Sequence, residues 1–190
     1  MQDLWRLPKA LHFGGRDWAI RADFRAVLRV IRVLERKDLP SEGRIYLAMR
    51  LFYKEFDKMP SSLWQAAADA LTEFIAAGKE EPGLAGPRLL DWQQDAELII
   101  ADVNKAAGRE LRAMEFVHWW TFVAFFGAVG EGRLSAVVAI RRKLAEGTAL
   151  EEWEKEYLRR EPGRVRLKTA LTPEEEKEKQ RLQKMLDKKE

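Results

Sequence analysis

The run Phe116-Val117-His118-Trp119-Trp120-Thr121-Phe122-Val123-Ala124-Phe125-Phe126 constrains this chain more than any other segment. Read as a helix, it is apolar on nearly every side, and such a helix is stable only when other elements enclose it. It is shorter than the roughly 20 apolar residues that cross a bilayer, and Glu115 and His118 interrupt its N-terminal side. The segment therefore predicts a buried central helix running from about Glu110 to Gly127, with no membrane span.

The rest of the sequence supplies amphipathic helices to wrap it. Asp23 is a candidate cap for a helix with the apolar face Phe24, Val27, Leu28, Ile31 and Leu34. Ser41 can cap a second, carrying Ile45, Ala48, Met49, Phe52 and Phe56. Ser62-Leu63-Trp64-Gln65 fits a capping box for a third, which ends at Gly78. Residues 79–88 read as a loop. Asp91 with Gln94 is another capping pair, opening a helix with the stripe Trp92, Ala96, Ile99, Ile100 and Val103 that ends at Gly108. After the aromatic helix come two shorter ones, over Leu134–Leu144 and from the box Thr148-Ala149-Leu150-Glu151 to Pro162-Gly163.

The first residues follow a different period. Ala10-Leu11-His12-Phe13 and Arg16-Asp17-Trp18-Ala19-Ile20 flank Gly14-Gly15, the sequence of two short strands around a tight turn. An isolated hairpin is marginal in water, so it must dock on the helical body or on another subunit. The fold class is mainly α: a compact multi-helix domain with a short N-terminal β-hairpin and a charged C-terminal helix. The expected division is a hairpin arm over 1–22, a helical core over 23–161 and a charged, partly flexible tail over 162–190. In that tail Glu174 to Arg181 has no apolar residue, and only Leu182, Met185 and Leu186 could pack. It reads either as a solubilising tail or as a solvated joint to a longer, frameshifted form.

Charge and composition exclude several function classes. Thirty-four basic residues face thirty-one acidic ones, interleaved along most of the chain, so the concentrated basic stripe of a nucleic-acid binder is absent. The nearest basic groups, Arg29, Arg32, Arg36 and Lys37, read as the solvated back of a helix, and Arg164, Arg166 and Lys168 form a second small set. There is no cysteine, which removes disulfides and thiolate chemistry. A metal site would rest on carboxylates alone, of which Asp91, Asp95 and Asp102 are the leading candidates, and capping and interhelical ion pairing account for them better than a metal does. Gly127, Gly130 and Gly132 lack the Gly-Lys-Ser/Thr of a phosphate loop and read as a helix end. No arrangement of nucleophile, base and acid emerges from the spacing. The expectation is a non-catalytic, intracellular binding protein without cofactor or metal. Within it His118, Trp119, Trp120 and Phe122 are core residues, and Trp5, Trp18 and Trp64 are candidate partner contacts.

Three stretches carry a resemblance. Asp91-Trp92-Gln93-Gln94-Asp95-Ala96-Glu97-Leu98-Ile99, Glu115-Phe116-Val117-His118-Trp119-Trp120-Thr121-Phe122 and Ala136 to Arg142 are similar to a family from phages and prophages of Gram-positive bacteria, named after gene product fifteen of such a phage. The hairpin followed by Asp23-Phe24-Arg25 also matches, so the resemblance covers roughly residues 8–160. The Gly130-Glu131-Gly132 loop and the tail after Pro162 depart from it. The resemblance implies a cytoplasmic tail assembly chaperone. Such a protein oligomerises, binds the tape measure protein, helps recruit the major tail protein that builds the tube, and is absent from the finished virion. The alternative is a structural tail or head-completion protein that stays in the particle.

Overall fold

A computed structural model describes residues 6–77 and 86–168; Trp5, Gly78 and the charged segment from Glu174 to Glu190 lie outside the described residues. The fold is mainly helical with one two-stranded antiparallel hairpin. Strands β1 (Ala10–Phe13) and β2 (Arg16–Ala19) pair Leu11 with Trp18 across the turn. Gly14 and Gly15 both have positive φ, as a tight hairpin turn requires. A Cβ on Gly14 would also come 2.7 Å from the Leu63 methyls, which would have to shift to admit it.

The hairpin is built into the core. Leu11, Trp18 and Ile20 are buried in the same apolar cluster as the helices. Beyond β2 the chain continues to pair: Lys54 N–H donates to Ala19 O, and Arg21 N–H to Phe52 O. Helices α1 (Phe24–Leu34) and α2 (Ser41–Phe52) pack closely, and α3 (Trp64–Ile75) covers α2 and β1. Asp23 caps α1 through Arg25 N–H, as its position predicts. Helix α5 (Trp119–Gly127) runs against α1 and α4 (Ala96–Ala107), and α6 (Arg133–Glu146) lies on α4. The short α7 (Glu152–Arg160) and α8 (Pro162–Val165) close that end.

Several expected starts are displaced. The aromatic helix begins at Trp119, not near Glu110. Leu111–Ala113 is a 3-10 turn, and the chain then runs extended to His118. The cause is long-range: Asp23 Oδ2 accepts Val117 N–H at 3.0 Å, Phe24 N–H donates to Val117 O and Trp119 N–H to Ala22 O. Those bonds take the groups a helix would have used. Nor is the aromatic helix enclosed all round. Trp119, Trp120 and Phe122 are buried, but Ala124 is exposed and Phe116, upstream, is 48% exposed.

Ser41 is the first residue of α2 rather than its cap, and Ser61–Leu63 forms a 3-10 turn ahead of α3 in place of the expected box. Asp91 Oδ1 does accept from Gln93 and Gln94 N–H, but it caps a turn, and α4 starts later, at Ala96. The box expected at Thr148 sits instead at Glu151 and Glu154. Residues 162–168 do not leave the body: Val165 is 1% exposed and held in the core. Gly108 ends α4 in the left-handed conformation, as read from sequence.

Candidate interaction surface

Two ties set α1 and α4 side by side in opposite directions. At the start of α1, Arg25 bonds the Asp23 carboxylate and reaches across to Leu111 O at 3.2 Å and Met114 O. At its end, Arg88 bridges Glu35 at 3.5 Å and Asp91 at 2.8 Å, next to the start of α4. Burial pushes the Glu35 carboxyl above its usual range, and Arg88 offsets only part of that. Between the ties lies an apolar groove of about 530 Å³, walled by Phe24 and Leu28 on one side and by Ala96, Ile99 and Ile100 on the other. Its floor is Trp92 and Phe122, whose rings lie 6.3 Å apart, with Phe24 stacked on Phe122 at 4.6 Å. That volume falls within the ~300–1,000 Å³ typical of binding clefts.

The two rims differ in charge. Arg25, Arg29 and Arg32 are spaced i, i+4, i+7 and share one line of α1, beside the Phe24–Leu28 row. Arg29 and Arg32 are exposed. Among the described residues neither forms an ion pair, whereas Arg25 is bound and Arg36 is paired with Asp38. On the other rim Glu97 stands in solvent, 3.6 Å from Arg164. A second apolar ledge lies at the far end of α4, around Leu7, Met114, Phe116 and Phe125, with about 330 Å³ of space.

The family model described as Bacteriophage Gp15 protein matches residues 3–167. The chain belongs to this family. Nothing among the curated proteins or the solved structures matches it. The match reaches past Pro162 and so takes in the segment that packs through Val165.

In this Gp15 chain the residues assigned to the core, His118, Trp119, Trp120 and Phe122, are all buried. His118 is the N-cap of α5. Its Nδ1 accepts Trp120 N–H at 3.1 Å, which leaves Nε2–H to donate to Pro8 O at 2.9 Å. Burial pushes the imidazole pKa down, and the Pro8 bond offsets part of that. The indole N–H groups of Trp119 and Trp120 donate to Ile75 O and Phe74 O, both at 2.9 Å, so both rings are fixed at each end.

The expected contact residues fare differently. Trp18 is 1% exposed, and Phe13 stacks on its ring, so it is a core residue and not a contact. Trp64 packs on Phe56 and Tyr46 and is partly buried. Trp5 lies outside the described residues. The groove residues were missed because periodicity treats each helix alone. The signal was present in Leu28 and Ile100, apolar positions beyond those each helix buries fully.

Asp91 and Asp95 line one cleft, with Asp91 N–H donating to Asp95 Oδ2 at 2.9 Å, but Asp102 does not join them, and the described residues hold no group of carboxylates placed for a metal. Asp91 caps its turn and meets Arg88, Asp95 pairs with Arg141, and Asp102 Oδ2 accepts Leu134 N–H at the start of α6. A Cβ on Gly132 would come within 2.8 Å of that Asp102 oxygen, which explains the glycine there. Backbone N–H donors and Arg88 hold Asp91 below the usual carboxylate range, although burial opposes them. No helix among the described residues is long and apolar enough to cross a membrane.

Proposed function

We propose that this protein is a non-catalytic tail assembly chaperone that binds the tape measure protein of its phage and helps recruit major tail protein subunits. The observation that carries the reading is membership of the phage Gp15 family across residues 3–167, in a chain that holds an open apolar groove between two helices. A long helical protein awaiting assembly exposes an apolar stripe, and a groove of this kind covers such a stripe by helix-in-groove packing. In this reading the protein acts in the host cytoplasm as a homo-oligomer, without metal or cofactor, and leaves before the virion is complete.

Co-expression with the tape measure protein tests this directly. A stable complex should form, the tape measure protein should stay in solution only in its presence, and purified particles should lack the chain by mass spectrometry. Stoichiometric recovery from purified particles would instead establish a retained structural protein.

A further inference from the structure

We infer that the α1/α4 groove takes an amphipathic helix whose apolar face fills the groove and whose acidic flank lies against Arg29 and Arg32. This deepens the chaperone reading and rests on it for the partner being a helical protein. The floor and walls are largely apolar and packed ring on ring: Phe24 stacks on Phe122, and Trp92 contacts Phe122 and Phe126. The ties at Arg25 and Arg88 hold α1 and α4 at both ends while leaving the middle open.

Charge then selects the partner. Arg29 and Arg32 are exposed, continue the line of α1 on which Arg25 lines the groove, and have no carboxylate partner among the described residues, so a partner carboxylate there gains an ion pair without displacing one of these. Glu97 on the opposite rim favours a basic or neutral second flank. The asymmetry fixes which way round the helix lies. A helix with lysines on the α1 side would meet like charge along that rim, a repulsive element that adds specificity.

The test uses the full chain and two synthetic amphipathic peptides of equal length. Both carry the same leucine stripe; one bears glutamates along the α1-facing flank and the other lysines. By titration calorimetry the glutamate peptide should bind about tenfold tighter or better, and the gap should shrink as salt screens the rim. The double variant Arg29→Glu/Arg32→Glu, at exposed positions, should reverse the preference with an unchanged circular dichroism spectrum. Ile100→Glu should weaken both peptides about thirtyfold. Leu28→Ala serves as the milder anchor variant if Ile100→Glu alters the fold.

Equal affinity for the two peptides would overturn the proposal. So would tighter binding of a peptide copying residues 169–190, which would assign the groove to the chain's own segment. Oligomers that dissociate in the Leu28→Ala variant would also overturn it, by assigning the groove to a second copy. Pull-down of the tape measure protein separates this inference from the chaperone reading. Retention by both groove variants would refute the groove and leave the chaperone standing. No capture by the native chain, with peptide discrimination intact, would refute the chaperone and leave the groove standing.

Discussion

The two sides of α4 meet different physics. On the side of the hairpin, α1, α3 and α5, the structure is held by rings: Phe24 on Phe122, Trp119 on Phe122, and Phe74 against Phe52, Trp120 and His118. On the side of α6, α7 and α8 it is held by buried charge. Arg141 pairs with Asp95 in two bonds of 2.6 and 2.8 Å, and its other three donors go to Val165, Leu89 and Arg164 carbonyls. Every guanidinium N–H is matched. Nearby, Lys143 reaches the buried Glu154 at 2.8 Å. That bond holds the Glu154 carboxyl below its usual range and raises the lysine.

The contrast shows that a segment too polar to fold by burial can be docked by polar side chains of the body, here Arg141 and Gln94. Residues 162–168 bury little besides Val165, and their backbone is held by Arg141 at Arg164 O and Val165 O and by Gln94 at Gly163 O, Arg166 O and Lys168 N–H. An apolar residue at 141 could replace the packing but would leave three carbonyls unpaired. Breaking a buried pair strands its partner, which is costly even where the intact pair adds little net stability.

The largest effects are expected where either half is struck at its centre. Arg141→Ala should cost about 3–5 kcal/mol by chemical denaturation, with amide exchange rising first over 162–168. Adding Asp95→Leu should recover only part of that, since the carbonyls of Leu89, Arg164 and Val165 stay orphaned. Full recovery would show that the carbonyl bonds contribute nothing. Trp119→Ala should cost about 3–5 kcal/mol as well, but as a cavity whose cost does not depend on salt. A loss confined to the α6–α8 end would break the comparison.

A smaller effect concerns His118, which joins the ring-held half to the chain before the hairpin. His118→Ala removes a helix cap and should cost about 1–2 kcal/mol. Because burial lowers this imidazole pKa below the ordinary 6.5, the neutral form stabilises the fold. That contribution is complete above pH 6.5 and is lost progressively as pH falls from there towards the depressed folded value. The melting temperature should therefore drop between pH 7 and pH 5, and His118→Asn, which keeps a capping oxygen, should flatten the slope. The smallest effect is expected at the exposed pair of Lys155 and Glu152: Lys155→Ala should change stability by less than about 0.5 kcal/mol. A larger change would mean that surface charge on α7 supports the Arg141 end.

Local chemistry was enough to place the hairpin at Gly14-Gly15, the cap at Asp23, the stop at Gly108 and the burial of Trp119, Trp120 and Phe122. Each depends on a residue's own backbone freedom, its nearest donors or its apolar bulk, all carried by the sequence itself. The start of α5, the docking of 162–168 and the groove were decided by tertiary structure. Residues 114–118 have helical composition, yet Asp23, far away in sequence, takes the Val117 N–H and draws the strand against α1. Asp95 reads from sequence as a capping or ion-pairing carboxylate, but its partner is fixed only when the fold brings Arg141 within 2.6 Å. The groove exists because Arg25 and Arg88 tie α1 and α4 at their ends, and a space between two helices is a property of their separation that no periodicity along either one can encode.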